Sequence, residues 1–249
     1  MVAAAALAFL IVTPAPQPTV LREVVYKVTS LTTQSLSRGT FGGYVPNPDA
    51  HNNSRMGSSG AFEPAPTSKT AGSHQEGKIT IDVLDVVGDV VHVRLAEDFV
   101  SRASPYSYEA FVEPNGLVRY NAEAPSSIAE YLLPLFGTRF AASATLANGD
   151  SWHIALKTEA VSVDDKFTIM GRDGAVLMLD ESGSVKMTSA RGMNLDVRGK
   201  LKYKPSLLVP ISGDVDERGS RSTADTLNQI ETNVHFERLS DSLEPVVPK

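Results

Sequence analysis

The chain has 249 residues, a net charge of -6 and a sequence pI near 5.4. This acidic balance argues against a nucleic-acid-binding domain, which is usually basic. Cysteine is absent from the sequence, so disulfides, thiolate metal sites and a cysteine nucleophile are all excluded. Because 42% of the residues are hydrophobic, the chain can build a real core, in one large β domain or in two small ones.

Residues 1–19 are predicted to be a signal-like segment followed by a proline-rich spacer. Residues 2–12 are uniformly apolar, a run too short to span a bilayer but typical of the centre of a secretory signal. Thr13-Pro14-Ala15 offers small residues for cleavage, although no Lys or Arg precedes the run. We therefore expect an exported protein, periplasmic or extracellular, without a membrane span after signal removal. A membrane-anchored or simply buried N-terminus is the alternative.

Residues 20–240 are predicted to form a single β-rich domain, followed by a frayed tail at 241–249. Residues 20–34 alternate as a long first strand, with Val24, Tyr26, Val28 and Ser30 on one face. Residues 35–77 are rich in Gly, Pro, Ser and Asn, so we expect a flexible loop there, either disordered or a lid.

Two stretches, 88–95 and 149–156, share the pattern Gly-Asp-x-x-His-x-x-Leu. Each predicts a turn followed by a strand of one antiparallel sheet, and a duplication remains open. In the second stretch, alternation places Trp152 and Ile154 toward the core and His153 toward solvent. The opposite register, with Trp152 outside as a binding platform, is the alternative.

The helical spacing of Ile128, Tyr131, Leu132 and Leu135 predicts one short helix, which Ser126 or Ser127 can cap and Pro134 ends or kinks. Elsewhere turn signals recur about every eight to twelve residues, the spacing of an antiparallel β fold. The predicted class is therefore mainly β: a curved antiparallel sheet or open half-barrel with one short helix, that is, a β-rich α+β domain. For residues 224–231 a helix competes with a strand.

Acidic residues cluster at Asp164-Asp165, at Asp180-Glu181 and at 214–217. We predict that these stretches are solvated hairpin turns, because none has the complete Asp-x-Asp-x-Asp-Gly pattern of a calcium loop. His92 and His153 are predicted to be ordinary strand histidines, since neither has a second ligand at metal spacing. With no catalytic motif or phosphate loop either, we predict no catalytic residue, no metal and no cofactor.

Some strands carry apolar residues on both faces, among them Val86-Val87 and Val90-Val91. A sheet covered on both faces accounts for this pattern. The functional interpretation is an apolar cleft between sheet and helix that holds a lipid-like or peptide ligand. The candidate cleft residues are Tyr131, Leu132, Leu135 and Trp152.

The signal-like start, the long antiparallel strands and the helix marked by Ile128, Tyr131, Leu132 and Leu135 resemble exported bacterial half-barrel proteins of the lipoprotein-carrier type. The resemblance spans residues 20–239 and is architectural, so it carries no site residue to this chain. It implies a non-enzymatic binding module for a hydrophobic small molecule or a protein partner. A structural protein of the cell envelope that uses its sheet edges, and a hydrolase with an unrecognised site, are the alternatives. The oligomeric state stays open.

Overall fold

The computed structural model describes residues 19–38, 68–101, 106–121, 131–137, 140, 145–157, 161–187, 194–222 and 226–243. These residues are organised into long strands. The strands are β1 (Arg22–Arg38), β2 (Ser68–Val87), β3 (Val90–Phe99), β4 (Tyr106–Val112), β5 (Val118–Tyr120), β6 (Ser151–Lys157), β7 (Val161–Asp173), β8 (Val176–Met187), β9 (Asn194–Lys204), β10 (Val209–Ser222) and β11 (Thr226–Asp241).

All eleven described strands form one antiparallel sheet in the order β5-β4-β3-β2-β1-β11-β10-β9-β8-β7-β6. Sequence neighbours pair along each half, and the pairing of β1 with β11 joins the two halves. In the described part of the chain β5 and β6 are the two edges and do not pair, so the sheet is open. The predicted mainly β class and the open antiparallel sheet are confirmed.

The alternation predicted for β1 is confirmed. Val24, Tyr26, Val28 and Ser30 are buried, while Lys27 between them is exposed. The Tyr26 ring meets Phe236 of β11 edge-on at 6.0 Å, and its hydroxyl donates to the Pro210 carbonyl at 2.9 Å. The central strands therefore bury one face in a continuous core.

The predicted flexible loop at 35–77 is wrong at both of its ends. β1 continues to Arg38 and β2 begins at Ser68, with Ser35 paired to Lys69 and Val28 paired to Gly77. Glycine there is a packing requirement, since a Cβ at Gly77 would lie 2.6 Å from Phe99 Cδ1. Because β2 pairs through its backbone with β1 and β3, its polar composition does not prevent a strand. The rest of the predicted loop, 39–67, lies outside the described residues.

The acidic stretches predicted as turns are also corrected, because all three lie inside strands. Asp164-Asp165 is in β7, Asp180-Glu181 is in β8, and residues 214–217 are in β10. The chain reverses instead at Gly174-Ala175, where Gly174 has φ 58°, a backbone conformation that favours glycine. Alternation consequently places Asp165, Glu181 and Glu217 on the inner face of the sheet and Asp164, Asp180, Asp214 and Asp216 on the outer face.

Both Gly-Asp stretches form the predicted turn and strand within one sheet. Gly88 and Gly149 have positive φ values of 62° and 90°, and β3 and β6 follow them. In β6 Ile154 is buried and Trp152 is half-buried, whereas His153 is exposed. This is the predicted register of the strand. At the other end of the chain, residues 226–231 belong to β11 and not to a helix.

The described part of the predicted helix is residues 131–137, which we call the cover segment. Tyr131 and Leu132 are helical, and the 3-10 turn Leu133–Phe136 follows them. The Gly137 N–H closes this turn by donating to the Pro134 carbonyl at 3.1 Å. The predicted start at Ser126 or Ser127 lies outside the described residues. No helix in the described part of the chain is long and apolar enough to cross a membrane.

Candidate functional site

A cavity of about 300 Å³ lies where the two ends of the strand order meet beneath the cover segment. Contacts at Gly116, in the turn between β4 and β5, establish this meeting. A Cβ at Gly116 would lie 2.7 Å from Ile154 Cδ1 of β6 and 2.8 Å from the Pro134 carbonyl oxygen. The sheet is therefore curved strongly enough to bring its two ends together around one cleft.

The walls of the cavity are mainly apolar. The turn and β5 contribute one wall, the cover segment contributes the roof, and inward-facing residues of β6 to β10 contribute the rest. The lining residues are Gly116, Leu117, Val118, Tyr120, Tyr131, Pro134, Leu135, Ile154, Val163, Asp165, Phe167, Glu181, Val185, Leu195, Val197 and Glu217. An apolar chain or ring that binds here would transfer its surface from water into apolar surroundings, which is favourable.

Three of the lining residues, Asp165, Glu181 and Glu217, are carboxylates. They occupy two neighbouring rows across the inner face of the sheet, which the strand register defines. One row runs Asp165–Gly183–Val197–Glu217, and the next runs Phe167–Glu181–Gly199–Val215. None of the described residues that line the cavity is Lys, Arg or His. The floor of an apolar cavity thus carries acidic groups that no lining side chain neutralises.

Glycines make room for two of these carboxylates. Asp165 lies over Gly183, where an added Cβ would collide with Asp165 Oδ1. Glu181 lies over Gly199 in the same way, with its Oε2 2.5 Å from the position a Cβ would take. Each acidic side chain therefore lies across the neighbouring strand, on the inner face of the sheet.

Burial raises the pKa values of two of these acids, Asp165 and Glu181. Burial raises the pKa of Glu181 to about 8, and the negative charge of Asp165 adds to this effect. Burial likewise raises the pKa of Asp165 to about 6, with a further contribution from the adjacent Asp164. Near neutral pH the pair therefore holds about one proton, in the manner of two carboxylates that share a site.

The third carboxylate is held from the cover segment. The Tyr131 hydroxyl donates to Glu217 Oε2 at 2.7 Å, a bond that joins the roof of the cavity to β10. Charge-assisted bonds of this kind are shorter and stronger than neutral ones. The position of the cover segment thus depends on a carboxylate of the cavity floor.

The structure places the four predicted cleft residues differently. Tyr131 and Leu135 line the cavity, whereas Leu132 is fully buried in the core and does not reach it. Trp152 is half-buried and stacks on Phe167 at 5.6 Å; Phe167 lines the cavity and Trp152 does not. The predicted apolar residues therefore lie around the cavity, and two of them touch it.

The two predicted strand histidines lie in different places. His92, on β3, stacks on Phe111 at 4.4 Å and contacts Glu109 at 3.2 Å. His153, on β6, contacts Asp164 at 3.1 Å. Neither lines the cavity, and no cluster of three or more metal-binding side chains occurs in the described part of the chain.

The acidic residues of the cavity are the ones that sequence reasoning missed. Asp165 lies two residues after Val163 and two before Phe167, and Glu181 lies two residues after Leu179. The sequence did contain one indication of these residues: each acid occupies a position that the alternating strand pattern assigns to the inner face of the sheet. The pairing of each acid with Gly183 or Gly199 depends on long-range register, which the local sequence does not reveal.

No family model matches the chain, and no curated protein matches it. Among solved structures, one described as "Lipid-protein interactions in lipovitellin" matches with a TM-score of 0.43 and 7% identity. The alignment covers 94% of this chain and 26% of that chain, so this chain spans about a quarter of the lipovitellin chain's length. This is a weak likeness of β-sheet architecture.

Proposed function

We propose that this protein binds a small hydrophobic molecule in the cavity beneath the cover segment. The carrying observation is the cavity itself, a cleft of about 300 Å³ with mainly apolar walls, formed where the curved sheet brings its ends together. Ligand sites typically have volumes of about 300 to 1,000 Å³, with few polar groups that orient the ligand. The cavity lies at the small end of that range, which suits one short chain or ring system.

The proposal includes the cellular setting that the sequence indicates. The signal-like residues 1–19 favour an exported protein, and the open antiparallel sheet agrees with the half-barrel resemblance. A module of this kind would hold its ligand in the periplasm or outside the cell.

A neutral apolar dye such as N-phenyl-1-naphthylamine tests the proposal by fluorescence titration. We expect stoichiometric binding by the wild type. Val185→Phe places extra volume in the cavity from a half-buried position of β8, and it should weaken dye binding at least about tenfold. Val176→Phe adds the same volume to a half-buried residue of the same strand that does not line the cavity, and it should bind as the wild type does.

Failure of the wild type to bind any apolar probe would reject the cavity as a ligand site. The alternative in which the edge strands β5 and β6 recruit a protein partner would then be favoured. Equal binding by wild type and Val185→Phe, with both proteins folded by circular dichroism, would place the dye elsewhere on the molecule.

Acid–base hydrolysis is a second candidate function, because Asp165 and Glu181 have raised pKa values of about 6 and 8 in one cavity. Carboxylates with different pKa values in one site are how enzymes assign an acid and a base. A panel of nitrophenyl esters and glycosides tests it. Turnover that Glu181→Gln abolishes, with dye binding retained, would establish catalysis, and no turnover would leave a binding site.

A further inference from the structure

We propose that the cavity selects hydrophobic molecules that carry a positively charged amine. The inference rests on the proposed function and names the ligand class of the same site. Its basis is charge complementarity. Asp165, Glu181 and Glu217 project into the cavity from β7, β8 and β10, and none of the described lining residues is a cation.

The three carboxylates line the cavity as hydrogen-bond acceptors. Asp165 Oδ1 accepts no hydrogen bond from any described residue and is itself inaccessible to solvent, so a ligand would meet the charge of this acid and not this oxygen. Glu217 has one oxygen, Oε2, bonded to the Tyr131 hydroxyl at 2.7 Å. An ammonium group has three donors and no acceptor, so it matches a floor made of acceptors. The apolar part of the same molecule would contact Val118, Leu135 and the other apolar walls.

The same arrangement disfavours the other head groups of an amphiphile. A carboxylate ligand would add a further negative charge beside buried acids, and like charges at short range in a poorly solvated site repel strongly. An alcohol can donate one hydrogen bond but brings no charge to the floor. The expected order of affinity for one hydrocarbon chain is therefore amine, then alcohol, then carboxylate.

Proton release provides a second signature. Glu181 has a pKa raised to about 8, so near neutral pH it is mostly protonated in the empty site. A bound ammonium favours the ionised carboxylate and lowers its pKa, and a proton must then leave. The titratable groups that line the cavity with Glu181 are Asp165, Glu217, Tyr120 and Tyr131. Charged groups on the outer face of the same strands include Asp164, Lys166, Asp180, Arg198 and Lys200.

The experiment compares decylamine, decan-1-ol and decanoate by isothermal titration calorimetry, below their aggregation concentrations. With the wild type near neutral pH, we expect decylamine to bind at least about tenfold more tightly than decan-1-ol, because its charge-assisted bonds are the stronger ones. Decanoate should bind most weakly. Titration in two buffers of different ionisation enthalpy should show proton release with decylamine and none with decan-1-ol.

Two variants test whether the acidic residues of the cavity floor cause the preference for the amine. In Asp165→Asn/Glu181→Gln the tenfold preference should fall to less than about threefold, because decylamine loses its counter-charges, and proton release should disappear. Asp164→Asn is the matched control, because it removes a neighbouring carboxylate that lies on the outer face and contacts His153. It should keep the wild-type preference.

The outcomes separate the inference from the proposed function on which it rests. Binding of all three ligands with similar affinity, or tightest binding of decanoate, would overturn amine selection and leave the hydrophobic site standing. Retention of the amine preference in the double variant would also overturn it. Absence of binding by all three ligands would reject the proposed function itself.

Discussion

At the scale of single residues, the chemistry of the cavity depends on two glycines as much as on the acids. The side chains of Asp165 and Glu181 fit on the inner face of the sheet because the residues paired with them, Gly183 and Gly199, have no side chain. The two acids are then buried close enough for the charge of Asp165 to raise the pKa of Glu181. Burial of this kind costs stability whenever the carboxylate is ionised, and a ligand that neutralises it would recover part of that cost.

This cost predicts how stability depends on pH through Glu181. The ordinary pKa of this group is 4.5, and its pKa in the folded protein is about 8. The folded protein therefore binds more protons than the unfolded chain between these values. The stability contributed by protonated Glu181 is present in full below about pH 4.5 and is lost as pH rises through about 8.

Glu181→Gln carries a permanently neutral side chain of the same shape, so it should escape this loss. The melting temperatures of wild type and variant should agree near pH 5, and the variant should be more stable near pH 9. One pKa unit corresponds to about 1.4 kcal/mol, so even part of the shift is measurable by thermal denaturation. Asp180→Asn, on the outer face of the same strand, is the control. Parallel melting curves for Glu181→Gln and wild type across this range would contradict the burial of the acid.

At the scale of elements, the two halves of the sheet are held together at the pairing of β1 with β11. Arg22, at the start of β1, donates from Nε to Asp241 Oδ1 at 3.0 Å and from Nη2 to Oδ2 at 2.5 Å. Arg238 adds a contact to Asp241 Oδ2 at 3.2 Å, and Arg22 also bonds to the Leu207 carbonyl before β10. This buried cluster therefore links β1, β11 and the connection into β10.

Asp241→Asn should be strongly destabilising, because it leaves the buried Arg22 and the half-buried Arg238 without their counter-charge. Burial alone would raise the pKa of Asp241, but hydrogen bonds from Arg22 and the Leu243 N–H, with the charges of both arginines, lower it. Breaking a buried pair typically costs about 3–5 kcal/mol, measured by denaturant unfolding near neutral pH. Glu76→Gln, which breaks the exposed pair with Lys27, should leave the unfolding midpoint unchanged. A similar effect of both variants would show that the cluster is not structurally important.

The period-two patterns made the strands predictable, but they did not show where each strand ends. Alternation grouped Val24, Tyr26, Val28 and Ser30 on one face of the first strand, and all four are buried. Acidic pairs were interpreted as turns because Asp and Gly are common there. In β7 and β8 the same residue types lie in mid-strand, since cross-strand glycines accept the inward acids. The information that decides between turn and strand is in the pairing partner, many residues away.

At the scale of the whole molecule, curvature brings together residues that are farthest apart in the strand order. Gly116, in the turn just before β5, meets Pro134 of the cover segment and Ile154 of β6, although nine strands separate β5 from β6 in the sheet. The sequence indicated an open half-barrel, and the apolar cover residues Tyr131 and Leu135 were identified. It could not indicate that Gly116 would meet Ile154, because that contact depends on the accumulated twist of every strand between them.

This closure makes a prediction for hydrogen exchange measured by mass spectrometry. A saturating ligand in the cavity should slow exchange in peptides covering residues 113–121 and also in peptides covering 161–173 and 176–187, because both sets of residues line one space. Peptides covering 22–32 and 79–87, from strands between the two ends, should exchange as they do in the free protein. The Val185→Phe protein, treated in the same way, is the control and should show no protection. Protection limited to one end of the strand order would mean that the sheet does not close on its ligand. Protection spread evenly over the sheet would indicate global stabilisation by binding elsewhere.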